Sequence, residues 1–181
     1  MTYPAISRLP GRPVSAELCR FVERAALERL LTPDFLFTSG RPGRYNTRGI
    51  QAVYASEDQP TAGAEAERYR NGRVTQNLVY WVHPTALVFD ILEIAANLNA
   101  LGQTTADLYT PWMFAKIPTK TQLLGSDIAA QTRLAGIRFP SNAARDRGFA
   151  GYNLVFFKDA LVSPRSLIVR DGGGNIIQQW P

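Results

Sequence analysis

The chain has 181 residues, 45% of them hydrophobic and 19% charged, which suits one domain with a buried core and excludes a disordered segment. One cysteine, Cys19, excludes an internal disulfide and a thiolate metal cage, and one histidine, His83, excludes a multi-histidine metal site. The formal net charge of +5 favours anionic partners, yet no run of roughly five or six basic residues marks a nucleic-acid site.

No stretch approaches the roughly 18 apolar residues of a membrane helix. The start, Met1-Thr2-Tyr3-Pro4, lacks the charged-then-apolar layout of a signal peptide, so the cytosol is the expected location. Residues 1–14 are rich in Pro and Arg and read as an extended lead-in. Ser15 suits an N-cap with Glu17 in the first turn, and Leu18, Phe21, Val22 and Ala25 form an apolar stripe at helical spacing. Thr32-Pro33 ends that helix.

Residues 39–49 form a loop dense in Gly and Arg, and 51–56 read as a short strand carrying Val53 and Tyr54. A helix is expected from about Thr61 to Arg70, with Pro60 tolerated in its first turn. Leu78 to His83 and Ala86 to Ile91 read as two strands separated by Pro84-Thr85, and Glu93 to Ala100 as a helix ending at Gly102. Trp112, Met113 and Phe114 are expected to pack inward. A helix from about Thr121 to Ala135 places Leu124 and Ile128 on one side and stops at Gly136. Ile137 to Phe139 and Leu154 to Phe157 are short apolar strands, and Ser166 to Trp180 reads as two strands around Asp171-Gly172-Gly173-Gly174-Asn175. The pattern is one mixed domain of helices and strands.

Cys19 and His83 read as structural residues, the first in the core and the second at a strand end. Glu65 shares a helical face with Ala62, Ala66 and Tyr69, whereas Glu67, Arg68 and Arg70 turn elsewhere. A carboxylate within an apolar stripe is either used in chemistry or a boundary residue reaching solvent or an arginine. Arg44 sits between Gly43 and Gly49, where a guanidinium fork can meet phosphate oxygens or simply stay solvated. Tyr54 faces the core or a cleft. Ser141 follows Pro140 at the end of an apolar strand and either lines a site or caps the next turn. It lacks a Gly-x-Ser-x-Gly elbow, and no Walker loop or Gly-x-Gly-x-x-Gly is present. One fixed cation, one acid, a hydroxyl and aromatic faces together suit a negatively charged, ring-bearing substrate such as a dinucleotide.

Several segments in order resemble the RES family, named for an arginine, a glutamate and a serine. They are Gly43-Arg44-Tyr45-Asn46-Thr47-Arg48-Gly49, Ala52-Val53-Tyr54-Ala55-Ser56, Thr61-Ala62-Gly63-Ala64-Glu65, Gly136-Ile137-Arg138-Phe139-Pro140-Ser141 and Gly151-Tyr152-Asn153-Leu154-Val155-Phe156-Phe157. The segment from Pro118 to Gly125 also agrees. The resemblance implies an α+β fold, ADP-ribosyltransferase-like, with a split mixed β-sheet flanked by helices around an NAD cleft. It divides the chain into a lead-in and helix over 1–34, a RES-like NAD-processing core over 35–160, and a C-terminal β-hairpin over 161–181 within the same domain.

The resemblance further implies a toxin that breaks the nicotinamide–ribose bond of NAD by phosphorolysis or hydrolysis. Transfer of ADP-ribose to a macromolecule and non-catalytic NAD binding are the alternatives. The implied catalytic residues are Arg44, Glu65 and Ser141, and the implied NAD contacts are Arg44, Tyr45, Asn46, Tyr54, Ser141 and Asn153. No metal and no tightly bound cofactor are expected; NAD is the substrate and inorganic phosphate the co-substrate of a phosphorolysis. The implied partner is a helix-turn-helix antitoxin of the Xre type, with no membrane and no direct nucleic-acid contact. Tyr45 stands where the family commonly has tryptophan, and Thr47 where it commonly has proline.

Overall fold

The computed structural model describes residues 9–27, 36–38, 40–68, 76–91, 98, 101–131 and 133–181. Their strands are β1 (Arg12–Val14), β2 (Leu18–Glu23), β3 (Ala52–Ser56), β4 (Asn77–Asp90), β5 (Gly136–Pro140), β6 (Tyr152–Phe157), β7 (Ser166–Arg170) and β8 (Ile176–Trp180). The helices are α1 (Arg24–Leu27), α2 (Gln59–Arg68), α3 (Lys120–Gln131) and α4 (Asn142–Arg145), with 3₁₀ turns at Asp107–Tyr109 and Lys158–Ala160. This is an α+β domain built on a mixed eight-stranded sheet, in the order β2-β3-β6-β5-β4-β7-β8 with β1 beside β4.

The hub is β4. It pairs antiparallel with β2 through Asn77–Val82, with β7 through Trp81–Thr85 and with β1 through Ala86–Val88, and parallel with β5 through Val88–Asp90. The two strands expected on either side of Pro84 are therefore one. Pro84 faces only Leu167 of β7, because β2 stops at Val82 and β1 starts at Ala86, so no second neighbour needs its missing N–H. His83 accordingly lies within a strand, 3.2 Å from Glu17, rather than at a strand end.

Residues 18–23 form β2 instead of the expected helix. Helical spacing of Leu18, Phe21 and Val22 is real, but six cross-strand partners on β4, from Leu18↔Val82 to Glu23↔Asn77, outweigh a weak local preference. Aromatic and β-branched side chains at Phe21 and Val22 suit a pleated surface. Among the described residues of this stretch, Arg24–Leu27 is helical.

The sheet separates two cores. On one face α3 lays Leu124 and Ile128 over Phe89, Ile137, Phe139, Val155 and Phe157. On the other, Val53, Val82, Val88, Leu154, Phe156, Leu167 and Val169 pack together. Central strands buried on both faces read as continuous apolar runs, which is why Leu154-Val155-Phe156-Phe157 does not alternate. Each such fully buried side chain contributes about 1.5–3 kcal/mol.

The α3 helix ends at Gln131, short of the expected Ala135, and the hairpin β7–β8 closes through an Asp171 side chain that accepts from the Gly173 and Asn175 amides. Trp112 is half-buried, but Met113, Phe114 and Ile117 are exposed, Phe114 at 89%, so this segment does not pack inward as expected. Tyr69, Arg70, Thr32-Pro33, most of the lead-in and most of the helix expected over Glu93 to Ala100 lie outside the described residues. Among the described residues no helix is long and apolar enough to cross a membrane.

Candidate active site

The sheet is split where β2 meets β3. Cys19↔Ser56 is the one register pair between them, and a cleft of about 300 Å³ opens beside it. Its walls come from Arg20 and Phe21 of β2, Tyr54 and Ser56 of β3, Glu65 of α2, Arg44 of the glycine-rich loop, Phe139 and Asn153 of the sheet, and Trp112.

Helix α2 delivers Glu65. Asp58 caps its start by accepting from the Thr61 amide at 2.7 Å, and Pro60 falls in the first turn where its missing N–H has no helical partner. Ala62, Glu65 and Ala66 line the cleft together while Glu67 and Arg68 are exposed, the face expected from spacing. Ser141 Oγ donates to Glu65 Oε1 at 2.7 Å, and Asn153 Nδ2 donates to the same oxygen at 2.8 Å. Ser141 also caps α4 by accepting from the Ala144 amide at 3.1 Å, so the cap reading of this buried serine is realised, while it touches the cleft only through Glu65. Behind Asn153, Ser56 Oγ donates to its Oδ1 at 2.7 Å.

Arg44 is half-buried and donates from Nη1 to the Leu108 carbonyl at 3.1 Å. That carbonyl is held by the 3₁₀ turn, where Lys120 Nζ and Thr104 both bond Asp107. No acidic side chain pairs with Arg44 among the described residues, which leaves its charge to the cleft.

Tyr45 and Asn46, expected to touch the ligand, are both fully buried. Tyr45 packs its ring 4.4 Å from Phe139, and burial pushes its phenol well above the ordinary tyrosine range. Asn46 Nδ2 donates to the Arg41 and Ile50 carbonyls at 2.8 and 3.0 Å. These side chains build the loop and present no surface to a ligand. Tyr54 does line the cleft; its hydroxyl accepts from the Tyr45 amide and donates to Asn46 Oδ1 at 2.8 Å. A Cβ on Gly43 would lie 2.5 Å from Asn46 Oδ1 and 2.7 Å from the Tyr54 hydroxyl, so the glycine makes room for this lock at the edge of the cleft.

Arg20 and Ser56 are site residues that motif reading passed over. Arg20 donates from Nη1 to the Leu36 and Tyr54 carbonyls at 2.8 and 3.2 Å, and burial lowers its guanidinium to about 10, still a cation at neutral pH. The one usable signal was an arginine inside an apolar run, Leu18-Cys19-Arg20-Phe21-Val22. Cys19 is buried, and burial, then Asp58 and Glu17, push its thiol up to about 12, far from a reactive thiolate. Among the described residues no cluster of three or more His, Cys, Asp or Glu could hold a metal ion.

The arginine and the glutamate thus line one cleft with the serine buried behind the glutamate, and the RES domain model matches residues 22–172 of the chain. The chain belongs to the RES family. RES proteins are associated with toxin–antitoxin systems and with chemistry on NAD. The match runs past the core expected over 35–160 to include the end of β2 and all of β7. Strand β7, within the match, pairs with β4 and contributes Leu167 and Val169 to a core, whereas β8 lies beyond the match. No curated protein matches the chain.

Proposed function

We propose that this RES protein is a toxin that cleaves the nicotinamide–ribose bond of NAD. The observation that carries the reading is Glu65, a carboxylate fixed by two donors in a cleft shared with an acid-free arginine and a tyrosine face. Breaking the C–N bond sends its electron pair to nicotinamide and leaves oxocarbenium character on the ribose. A fixed carboxylate stabilises that charge or orients the oxygen that attacks it. Arg44 suits the diphosphate or an incoming phosphate through its planar fork. Tyr54 offers its ring face to nicotinamide, because its hydroxyl is already engaged in the loop. Ser141, buried behind the cleft, acts through the proton it gives to Glu65.

NAD is a substrate here, with no tightly bound cofactor, and inorganic phosphate or water supplies the attacking oxygen. A helix-turn-helix antitoxin of the Xre type is the proposed neutralising partner. The test is NAD consumption by the purified protein with and without millimolar phosphate, products resolved by mass. Free nicotinamide supports the reading, and ADP-ribose 1″-phosphate selects phosphorolysis over hydrolysis. NAD left intact under both conditions overturns it in favour of a macromolecular acceptor or binding alone.

A further inference from the structure

We infer that Ser56 is a positioning residue of the Glu65 carboxylate, acting through the side-chain amide of Asn153. The inference rests on the proposed NAD cleavage, and the geometry behind it is specific. Ser56 and Asn153 are directly opposite each other on β3 and β6, and both are nearly fully buried. Glu65 Oε1 can only accept, so it takes the nitrogen side of the amide and turns Oδ1 toward Ser56, whose hydroxyl donates to it at 2.7 Å. That orientation aims Nδ2 at Glu65 Oε1, 2.8 Å away.

Ser141 reaches the same oxygen, so both donors converge on Oε1. Among the described residues no hydrogen bond reaches Oε2, which is left for the ribose or the attacking oxygen. Turning the Asn153 amide over would set its oxygen against Oε1, acceptor against acceptor, and push the carboxylate off its axis. The carboxylate itself opposes that flip, and the Ser56 hydroxyl holds the amide in place on β6 so that Nδ2 stays in line with Oε1. Its location also matters: Ser56 is the β3 half of the Cys19↔Ser56 pair, the last point of contact before β2 and β3 part. The hydroxyl therefore ties the orientation of the carboxylate to the edge of the split from which the cleft opens.

The experiment is a double-mutant cycle on NAD turnover with Ser56→Ala, Asn153→Ala and the pair, plus Ser56→Thr as rescue, each checked by thermal melting. Ser56→Ala is expected to lower kcat about tenfold with KM within about twofold, since the lost alignment acts in the transition state. The pair should be no slower than Asn153→Ala alone, and the threonine should recover most of the rate. Additive losses would mean that Ser56 meets the substrate itself, and a parent-like kcat in Ser56→Ala would mean that the hydroxyl orients nothing; either overturns the proposal. A loss confined to the melting temperature also overturns it. If the parent protein consumes no NAD, the function reading fails on its own. The linkage is then read from the Asn153 side-chain NH₂ resonances, which Ser56→Ala and Glu65→Gln should both displace; resonances unmoved by Ser56→Ala refute it.

Discussion

Glu65→Gln separates the charge of the carboxylate from its place in the fold. The amide is nearly the same size, and its oxygen can still accept from Ser141 Oγ and Asn153 Nδ2 as Oε1 does now. What disappears is the negative charge on the cleft side. A unit charge about 4 Å from the developing oxocarbenium is worth about 4 kcal/mol at an effective dielectric of about 20. That predicts a fall in kcat of up to about a thousandfold. NAD itself should bind somewhat more weakly, because its nicotinamide ring already carries the positive charge that moves to the ribose as the bond breaks, and only the interaction gained on that movement appears in kcat. The assay is initial-rate nicotinamide release alongside binding of NAD and a thermal melt. A folded Glu65→Gln protein that keeps kcat within about tenfold of the parent refutes the electrostatic role. Glu65→Ala is the contrasting case, because it strands two buried donors, each at a cost of about 1–3 kcal/mol, and should melt measurably earlier.

Other expectations follow from single contacts. Arg44→Ala should lower kcat/KM for NAD about ten- to a hundredfold, the worth of a hydrogen bond to a charged group, with a melting temperature close to the parent; steady-state kinetics check this. Gly125→Ala should cost about 3 kcal/mol, at the upper end of overpacking, because its Cβ would fall 1.7 Å from the Tyr45 carbonyl oxygen; urea unfolding measures it, and parent-like stability would contradict the packing. Cys19, with its thiol raised to about 12, should alkylate ever faster with pH through pH 10, where an ordinary thiol near 9 has levelled off. A rate that has its midpoint near pH 9 and levels off by about pH 10 in iodoacetamide kinetics would show that the native environment does not hold the thiol protonated.

Local chemistry made some of the fold legible. The apolar run of β6, the Asp171–Asn175 turn and the Asp58-Gln59-Pro60 start of α2 each carry their cause within a few residues. The face of α2 could be read too, since Ala62, Glu65 and Ala66 recur at helical spacing and do line the cleft. What misled was long-range. The pairing of β2 with β4 joins residues some sixty positions apart, and no window on Leu18–Glu23 contains its partner. Met113, Phe114 and Ile117 are apolar enough for a core, yet nothing among the described residues covers them.

Within the site, the division between residues that meet a ligand and residues that hold them lies beyond motif reading. Arg44, Tyr45 and Asn46 are consecutive in one loop, but only Arg44 reaches the cleft. The reason is the approach of α3. Gly125 lets the helix press against the Tyr45 backbone, and Gln122 Nε2 donates to the Gly43 carbonyl at 2.8 Å. With the loop pinned from behind, Tyr45 must turn into the core under Phe139, and Asn46 must bond the loop's own carbonyls. The side chain between Gly43 and Tyr45 is then the one left to project forward. Arg20, expected on a helix, and Ser56, an ordinary strand residue by sequence, escaped notice for the converse reason: neither stands out until β2 and β3 separate. A recurring short motif can therefore record the support of a site as faithfully as its chemistry, and only the packing behind the loop distinguishes the two.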